Sequence, residues 1–258
     1  MTPSAKYIIG TSGYSFADWV GTFYPPGTQR GEMFALYARH FSAAELNFTY
    51  YRMPSAETLG RIGARAPEGF LFWVKANRQT THEGSRSAAG EFVENLHPLR
   101  ASGMLAGVLL QFPQSFHRTV EARRYLAATI GDFAGVPLAV EFRHRSWEHP
   151  SVAAGLRERE VALVVPDAPD LPGLFRPPAT ATTRTGYLRL HSRNAEKWYA
   201  GGAERYDYDY SEQELKAVAG DWTDLADQVD RVYAFFNNCH RGQAAANAEA
   251  FRRIVKGK

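Results

Sequence analysis

A single cysteine, Cys239, among 258 residues leaves no internal disulfide and no cluster of thiolates for zinc. That suits a reducing compartment, so a cytoplasmic protein is expected. No run of about 18 apolar residues occurs, and nothing is expected to span a membrane. The opening Met1-Thr2-Pro3-Ser4-Ala5-Lys6 is too short and polar for a secretory signal. Also missing are Gly-x-Gly-x-x-Gly and Walker A sequences, which argues against dinucleotide and P-loop folds. His-x-His and His-Glu-x-x-His patterns are absent too, and the sequence calls for no metal or cofactor. Nor is there a large excess of one charge. A formal net charge of +3 and a pI near 8.9 suit an anionic small substrate or weak nucleic-acid contact, and decide neither.

What is present is core-forming sequence in alternation. Hydrophobic residues make up 45% of the chain, enough for a large core. Short apolar runs predict strands at Tyr7–Thr11, Ala44–Phe48, Leu71–Ala76, Gly107–Phe112, Pro137–Phe142, Val161–Val165, Gly186–His191 and Val232–Asn237. Amphipathic segments between them predict helices at Glu32–His40, Ala56–Ala64, Gly90–Leu99, Thr119–Ile130, Ser151–Arg157, Ser211–Val229 and Gln243–Val255. Ser55 and Ser211 stand where N-caps belong, with Glu214 completing a capping box. The proline-rich stretch Pro166–Gly173 cannot hold a full helix after the sixth strand. Eight strands alternating with helices at this length predict a single (β/α)8 TIM barrel, an α/β fold, with residues 1–258 as one domain.

In such a barrel alternate residues of each strand face the interior, and chemistry gathers at the carboxyl ends of the strands. Parity then groups Glu45 with Asn47, Lys75 with Trp73, Gln111 with Leu109, and Glu141 and Arg143 with Ala139. It likewise groups Asp167 with Leu163 and Val165, Arg189 and His191 with Tyr187, and Asn237 with Tyr233 and Phe235. Glu45, Lys75, Glu141 and His191 are the candidate catalytic residues. Asn47, Gln111, Arg143, Trp147, Asp167, Arg189 and Asn237 are the candidate substrate contacts. A buried structural charge network is the competing reading of the same residues. Further basic side chains cluster nearby, and arginine forks suit phosphate and carboxylate groups. Tyr14, Trp19, Tyr51, Trp147, Trp198 and Tyr199 offer faces for a sugar or base.

Several chemistries fit this set. Glu45 and Glu141 could act as general acid and base or as paired glycosidase carboxylates. Lys75 could form a Schiff base, although an ammonium paired with Glu45 or Glu141 is the plainer expectation. Glu141, Asp167 and His191 could together hold a divalent metal, without a motif to support them. Cys239 beside His240 could be a nucleophile pair, but adjacent side chains usually point apart.

Ile9-Gly10-Thr11-Ser12-Gly13-Tyr14-Ser15, followed by Asp18-Trp19 and Phe23-Tyr24-Pro25, resembles the opening of domain-of-unknown-function family 72, the YecE-like proteins. The resemblance continues through Glu45–Arg52, Phe72–Ala76, Leu110–Pro113, Val140–His144, Ser146-Trp147, Tyr187–His191 and Phe236–His240. It departs at Phe48, where the family usually has Ser, and at Tyr50, where it has Phe. Both changes are of little consequence if the side chains pack. The resemblance implies a (β/α)8 barrel and carries no established activity.

The leading expectation is an enzyme acting on a small anionic or sugar-like molecule, phosphorylated or not, with hydrolase, lyase and isomerase chemistry all open. Arg143, Arg189 and His191 would bind the anion, Glu45 and Glu141 would move protons, and Lys75 would stabilise negative charge. The alternatives are a nucleic-acid-binding or repair-related protein using the loop Ser192–Tyr199, and a barrel that binds a ligand without turnover.

Overall fold

Val-, Leu- and aromatic-rich runs become strands here because both of their faces find apolar cover, the interior on one side and helices on the other. The computed structural model describes residues 6–200 and 202–257, so the expectation for residues 1–5 falls outside the described residues. Its strands are β1 (Tyr7–Thr11), β2 (Ala43–Leu46), β3 (Leu71–Lys75), β4 (Leu105–Gln111), β5 (Leu138–Glu141), β6 (Val161–Asp167), β7 (Thr185–Leu190) and β8 (Arg231–Phe236). All pair in parallel, in the order β1-β8-β7-β6-β5-β4-β3-β2. The ring closes between β1 and β2, making a single (β/α)8 barrel.

That closure is unusual. Beyond one parallel bridge, Ser12 to Glu45, β1 and β2 share no ladder. The Tyr37 hydroxyl sits between them, accepting from the Thr11 amide at 2.9 Å and donating to the Ala43 carbonyl at 2.9 Å. Gly10 permits the approach, because a Cβ there would lie 2.3 Å from the Ala43 carbonyl oxygen. The tyrosine thus satisfies two backbone groups that a strand pair would otherwise leave buried and unbonded.

The helices follow the expected places with shorter pieces. Glu32–His40 reduces to Met33–Tyr37. Gly90–Leu99 becomes Ser87–Asn95 plus His97–Ala101, and Ser211–Val229 becomes Glu212–Asp221 plus Thr223–Gln228. The caps form as expected: Ser55 accepts from the Thr58 amide, and Ser211 and Glu214 close a capping box. Residues 168–184, between β6 and β7, contain no helix. No helix among the described residues is long and apolar enough to cross a membrane.

Inside the ring, Ala43, Trp73, Leu109, Ala139, Ala162, Val164, Tyr187, Tyr233 and Phe235 form a core separate from the larger one under the helices. Trp73 packs edge-on to Tyr187 at 4.7 Å and to Tyr233 at 5.5 Å. Gly107 makes room for the indole, since a Cβ there would come within 2.5 Å of it. This aromatic plug fills the lower barrel and leaves polar side chains only the carboxyl-terminal end.

Candidate functional site

Directly above the plug, Arg189 lies between two carboxylates. Its Nε and Nη2 donate to the two oxygens of Glu45 at 2.9 and 2.6 Å, and its Nη1 donates to Glu141 Oε2 at 2.5 Å. The Tyr187 hydroxyl, two residues earlier on β7, donates to Glu45 Oε2 at 2.7 Å. Glu141 Oε1 takes Arg143 Nε at 2.7 Å and His191 Nε2 at 3.2 Å. All of Glu45, Glu141, Arg189 and His191 are buried. Burial pushes the Glu141 carboxyl up, but Arg143, Arg189 and His191 outweigh it and hold it well below its usual value.

The bonds of His191 fix its form. An ionised Glu141 can only accept, so Nε2 carries the hydrogen, while Nδ1 accepts from Asn237 Nδ2 at 2.9 Å. Burial and the Arg143 charge lower its pKa to about 3, keeping the ring neutral.

Lys75 is different. Its ammonium donates to Gln111 Oε1 at 2.7 Å and lies 4.3 Å over the Tyr50 ring, and it forms no ion pair among the described residues. The expected pairing with Glu45 or Glu141 is therefore not made: Arg189 and Arg143 have already taken those oxygens. Crowding by protein, with Arg189 and Arg143 nearby, lowers Lys75 to about 7, although the side chain still reaches the cleft. Gln111 is held in turn by donating from Nε2 to the Phe112 carbonyl at 2.7 Å.

These groups floor a cleft of about 1290 Å³. Lys75, Arg143, Arg189, Asn47 and Asn237 line it, while Glu45, Glu141, Gln111 and His191 stand behind them. Asn47 Nδ2 reaches the Ser12 carbonyl at 3.5 Å, and its buried Oδ1 has no partner. Among the described residues lining the cleft are six lysine and arginine side chains and a single carboxylate, Asp18, which accepts from the Arg241 amide at 2.7 Å.

Two expected contacts lie elsewhere. Asp167 faces outward. The register pairs Ala139 with Ala162, Val164 with Tyr187 and Pro166 with Arg189, so even-numbered residues of β6 face the interior. Asp167 instead meets Arg193 (Nη2 to Oδ2, 2.6 Å) and the Tyr210 hydroxyl (2.7 Å), beside a second cavity of about 970 Å³ where the helix is missing. The trio Glu141, Asp167 and His191 is consequently not a ligand set. Trp147 is buried, stacked on Phe142 at 4.2 Å, with Nε1 donating to the Phe116 carbonyl at 2.6 Å, so it packs under a loop and does not line the cleft.

Of the other aromatics, Tyr14 and Tyr51 line the cleft, whereas Trp19 and Trp198 are buried. Arg193 and Lys197 of the Ser192–Tyr199 loop are ion-paired with Asp167 and Asp207. Cys239 lines the cleft wall with its sulfur 3.6 Å from the Ser12 carbonyl, and burial pushes its thiol far up, leaving it protonated. His240 points to Asp207, away from it.

Phe48 and Tyr50 do not simply pack. Phe48 is 40% exposed on the cleft lip, and the Tyr50 ring carries the Lys75 charge. Sequence reasoning also passed over Ser12, 3.5 Å from Arg189 Nη2, although it shares the parity of Ile8 and Gly10 on β1. Arg30, Arg65 and Arg205 were missed as cleft residues because they come from loops and helix ends, where strand parity says nothing.

Residues 8–258 match the family described as "Protein of unknown function DUF72". The UPF0759 protein YunF of Bacillus subtilis is 30% identical, the match covering 96% of this chain and 94% of YunF. A crystal structure of a DUF72 family protein from Thermotoga maritima is 38% identical, covering 97% of this chain and 99% of that one, with a TM-score of 0.90. One from Enterococcus faecalis is 26% identical, covering 97% and 95%, with a TM-score of 0.83. By the extent of the family match and by these full-length relatives, the chain belongs to the DUF72 family.

Proposed function

We propose that this DUF72 barrel is an enzyme that binds a small anionic, sugar-like molecule at the carboxyl-terminal mouth and moves a proton on it. The observation carrying the proposal is Lys75: a lysine at the floor of a cation-rich cleft, without a carboxylate partner and with its pKa near 7. A lysine placed for structure alone would be paired, since an uncompensated charge in a crowded site is costly. Near neutral pH this amine exists in both forms, as a general acid or base needs.

Arg143 meets Glu141 only through Nε and so keeps its terminal N–H groups as donors for the anion, Arg189 stands beside it, and Asn47 Oδ1 supplies an acceptor for a hydroxyl. Lys75 takes the proton-carrying part first expected of the carboxylates. Glu45 and Glu141 are occupied on both oxygens and hold Arg189 in place, while His191, itself bonded to Asn237, holds Glu141 through Nε2. The nucleic-acid reading loses its motive, because the cations of the Ser192–Tyr199 loop are already paired and Trp198 is buried.

The test is a thermal-shift screen of the purified protein against inorganic phosphate, sugar phosphates and sugar acids. The reading requires a rise in Tm with at least one of them that disappears in Lys75→Met. If no compound raises the Tm, or if the rise survives in both Lys75→Met and Arg143→Met, the reading is wrong.

A further inference from the structure

Beside the strand-end residues, the cleft is lined by side chains from loops and helix ends, with a chemistry of their own. Arg30 and Arg65 are among them, both exposed, and neither makes an ion pair among the described residues. Both are tethered: Arg65 Nη2 donates to the Gly31 carbonyl, and Arg30 Nε donates to Ser15 Oγ at 3.3 Å. Each guanidinium has five N–H donors, so most of each fork stays free. The Gly31 bond sets the Arg65 guanidinium against the residue next to Arg30 in the chain, and both arginines line the same cleft.

The same cleft is also lined by apolar and aromatic side chains. Phe34 and Tyr14 pack at 4.9 Å on one side, and Phe48 and Tyr51 stand on the lip. Phe48 is 40% exposed and Tyr51 78% exposed, an arrangement that leaves flat apolar surface facing the opening. At about 1290 Å³ the cleft also exceeds the roughly 300–1,000 Å³ usual for a compact ligand.

Resting on the reading above, we infer that the ligand is an elongated molecule with two separate anionic groups: one anionic, hydroxyl-bearing end at Lys75, Arg143 and Arg189, a planar apolar middle against Phe48 and Tyr51, and a second anionic group at Arg30 and Arg65. Among the described residues Glu45 and Glu141 already offset Arg189 and Arg143 at the floor, whereas Arg30 and Arg65 have no carboxylate partner and are free to take a second anionic group. The aromatic lip matches the middle, since rings stack on other planar groups. A ligand with a single anionic group at the floor would leave Arg30 and Arg65 without a partner.

Three probes of increasing reach separate the parts: inorganic phosphate, phenyl phosphate and 4-carboxyphenyl phosphate, with 6-phosphonooxy-2-naphthoate as a longer phosphate–carboxylate. Binding to the full chain is measured by calorimetry. The expected result is a stepwise gain, with at least one of the two phosphate–carboxylates binding about tenfold or more tighter than phenyl phosphate. Arg30→Met with Arg65→Met, both at exposed positions, should erase that last gain while leaving phosphate and phenyl phosphate affinity unchanged. If phosphate and phenyl phosphate bind in a Lys75-dependent way but neither phosphate–carboxylate gains, or the double variant keeps the gain, the elongated ligand is overturned and the functional reading survives. If none of the four binds, both fall.

Discussion

Arg189 is the residue on which the buried site turns. Arg189→Met removes two hydrogen bonds from Glu45 and one from Glu141 while leaving both carboxylates buried. Breaking one partner of a buried ion pair costs about 3–5 kcal/mol, and that loss is expected in urea unfolding. A variant within about 1 kcal/mol of the parent would mean that the carboxylates find other partners. Lys75 gives a pH signature. Its folded pKa of about 7 lies below its usual 10.5, so between those values the unfolded chain holds a proton that the folded chain lacks. Stability contributed by this group therefore rises as pH goes from about 7 to 10.5, with a slope softened by water in the cleft, and Lys75→Met should flatten the rise. Anion binding at the floor should strengthen as pH falls through about 7, read as Kd against pH. His191, lowered to about 3, should stay a neutral Nε2–H ring at pH 5, and ring-nitrogen NMR showing an imidazolium there would contradict the bonding described. Because it charges in the unfolded chain first, it also weakens the fold as pH drops from 6.5 towards 3.

At the scale of elements, the seam between β1 and β2 is the weak point of the ring. Tyr37→Phe leaves the Thr11 amide and the Ala43 carbonyl buried without their partner, which should cost about 1–3 kcal/mol. The Thr11 amide should then exchange with solvent faster than those of the β7–β8 ladder, and equal protection would show that the strands pair directly. Element types were readable because helix and strand differ in apolar period. Most site residues were readable for the same reason: Glu45, Lys75, Gln111, Glu141, Arg189 and Asn237 are polar interruptions in apolar strands, and their parity is unambiguous. Asp167 was misplaced because β6 is apolar at every position from Val161 to Pro166, and a strand covered on both faces gives no alternation to read. Only pairing with β5 and β7 sets which residues turn inward. Trp147 was misplaced because an indole near the mouth has the same composition whether it stacks on a ligand or on Phe142.

Across the whole molecule, a formal charge of +3 is spread unevenly: among the described residues lining the cleft are one carboxylate and six lysines and arginines, of which only Arg143 and Arg189 are offset by Glu141 and Glu45. Phosphate affinity should therefore fall as salt rises from about 20 mM to about 500 mM, where the screening length shrinks from roughly 20 Å to roughly 4 Å. A flat response in calorimetry would place the anion away from this cleft. The sequence by itself determined the eight alternating units, the caps at Ser55 and Ser211, the helix-free segment after β6, and most of the polar residues that gather at one mouth. These follow from local period and backbone chemistry, which neighbouring residues settle among themselves. Only the tertiary structure decided that Arg189 would claim both carboxylates and leave Lys75 unpaired, that Tyr37 would close the ring, and that Arg30 and Arg65 would join the cleft. Those outcomes are competitions for shared partners among residues far apart in the chain, and no local pattern records which of them wins.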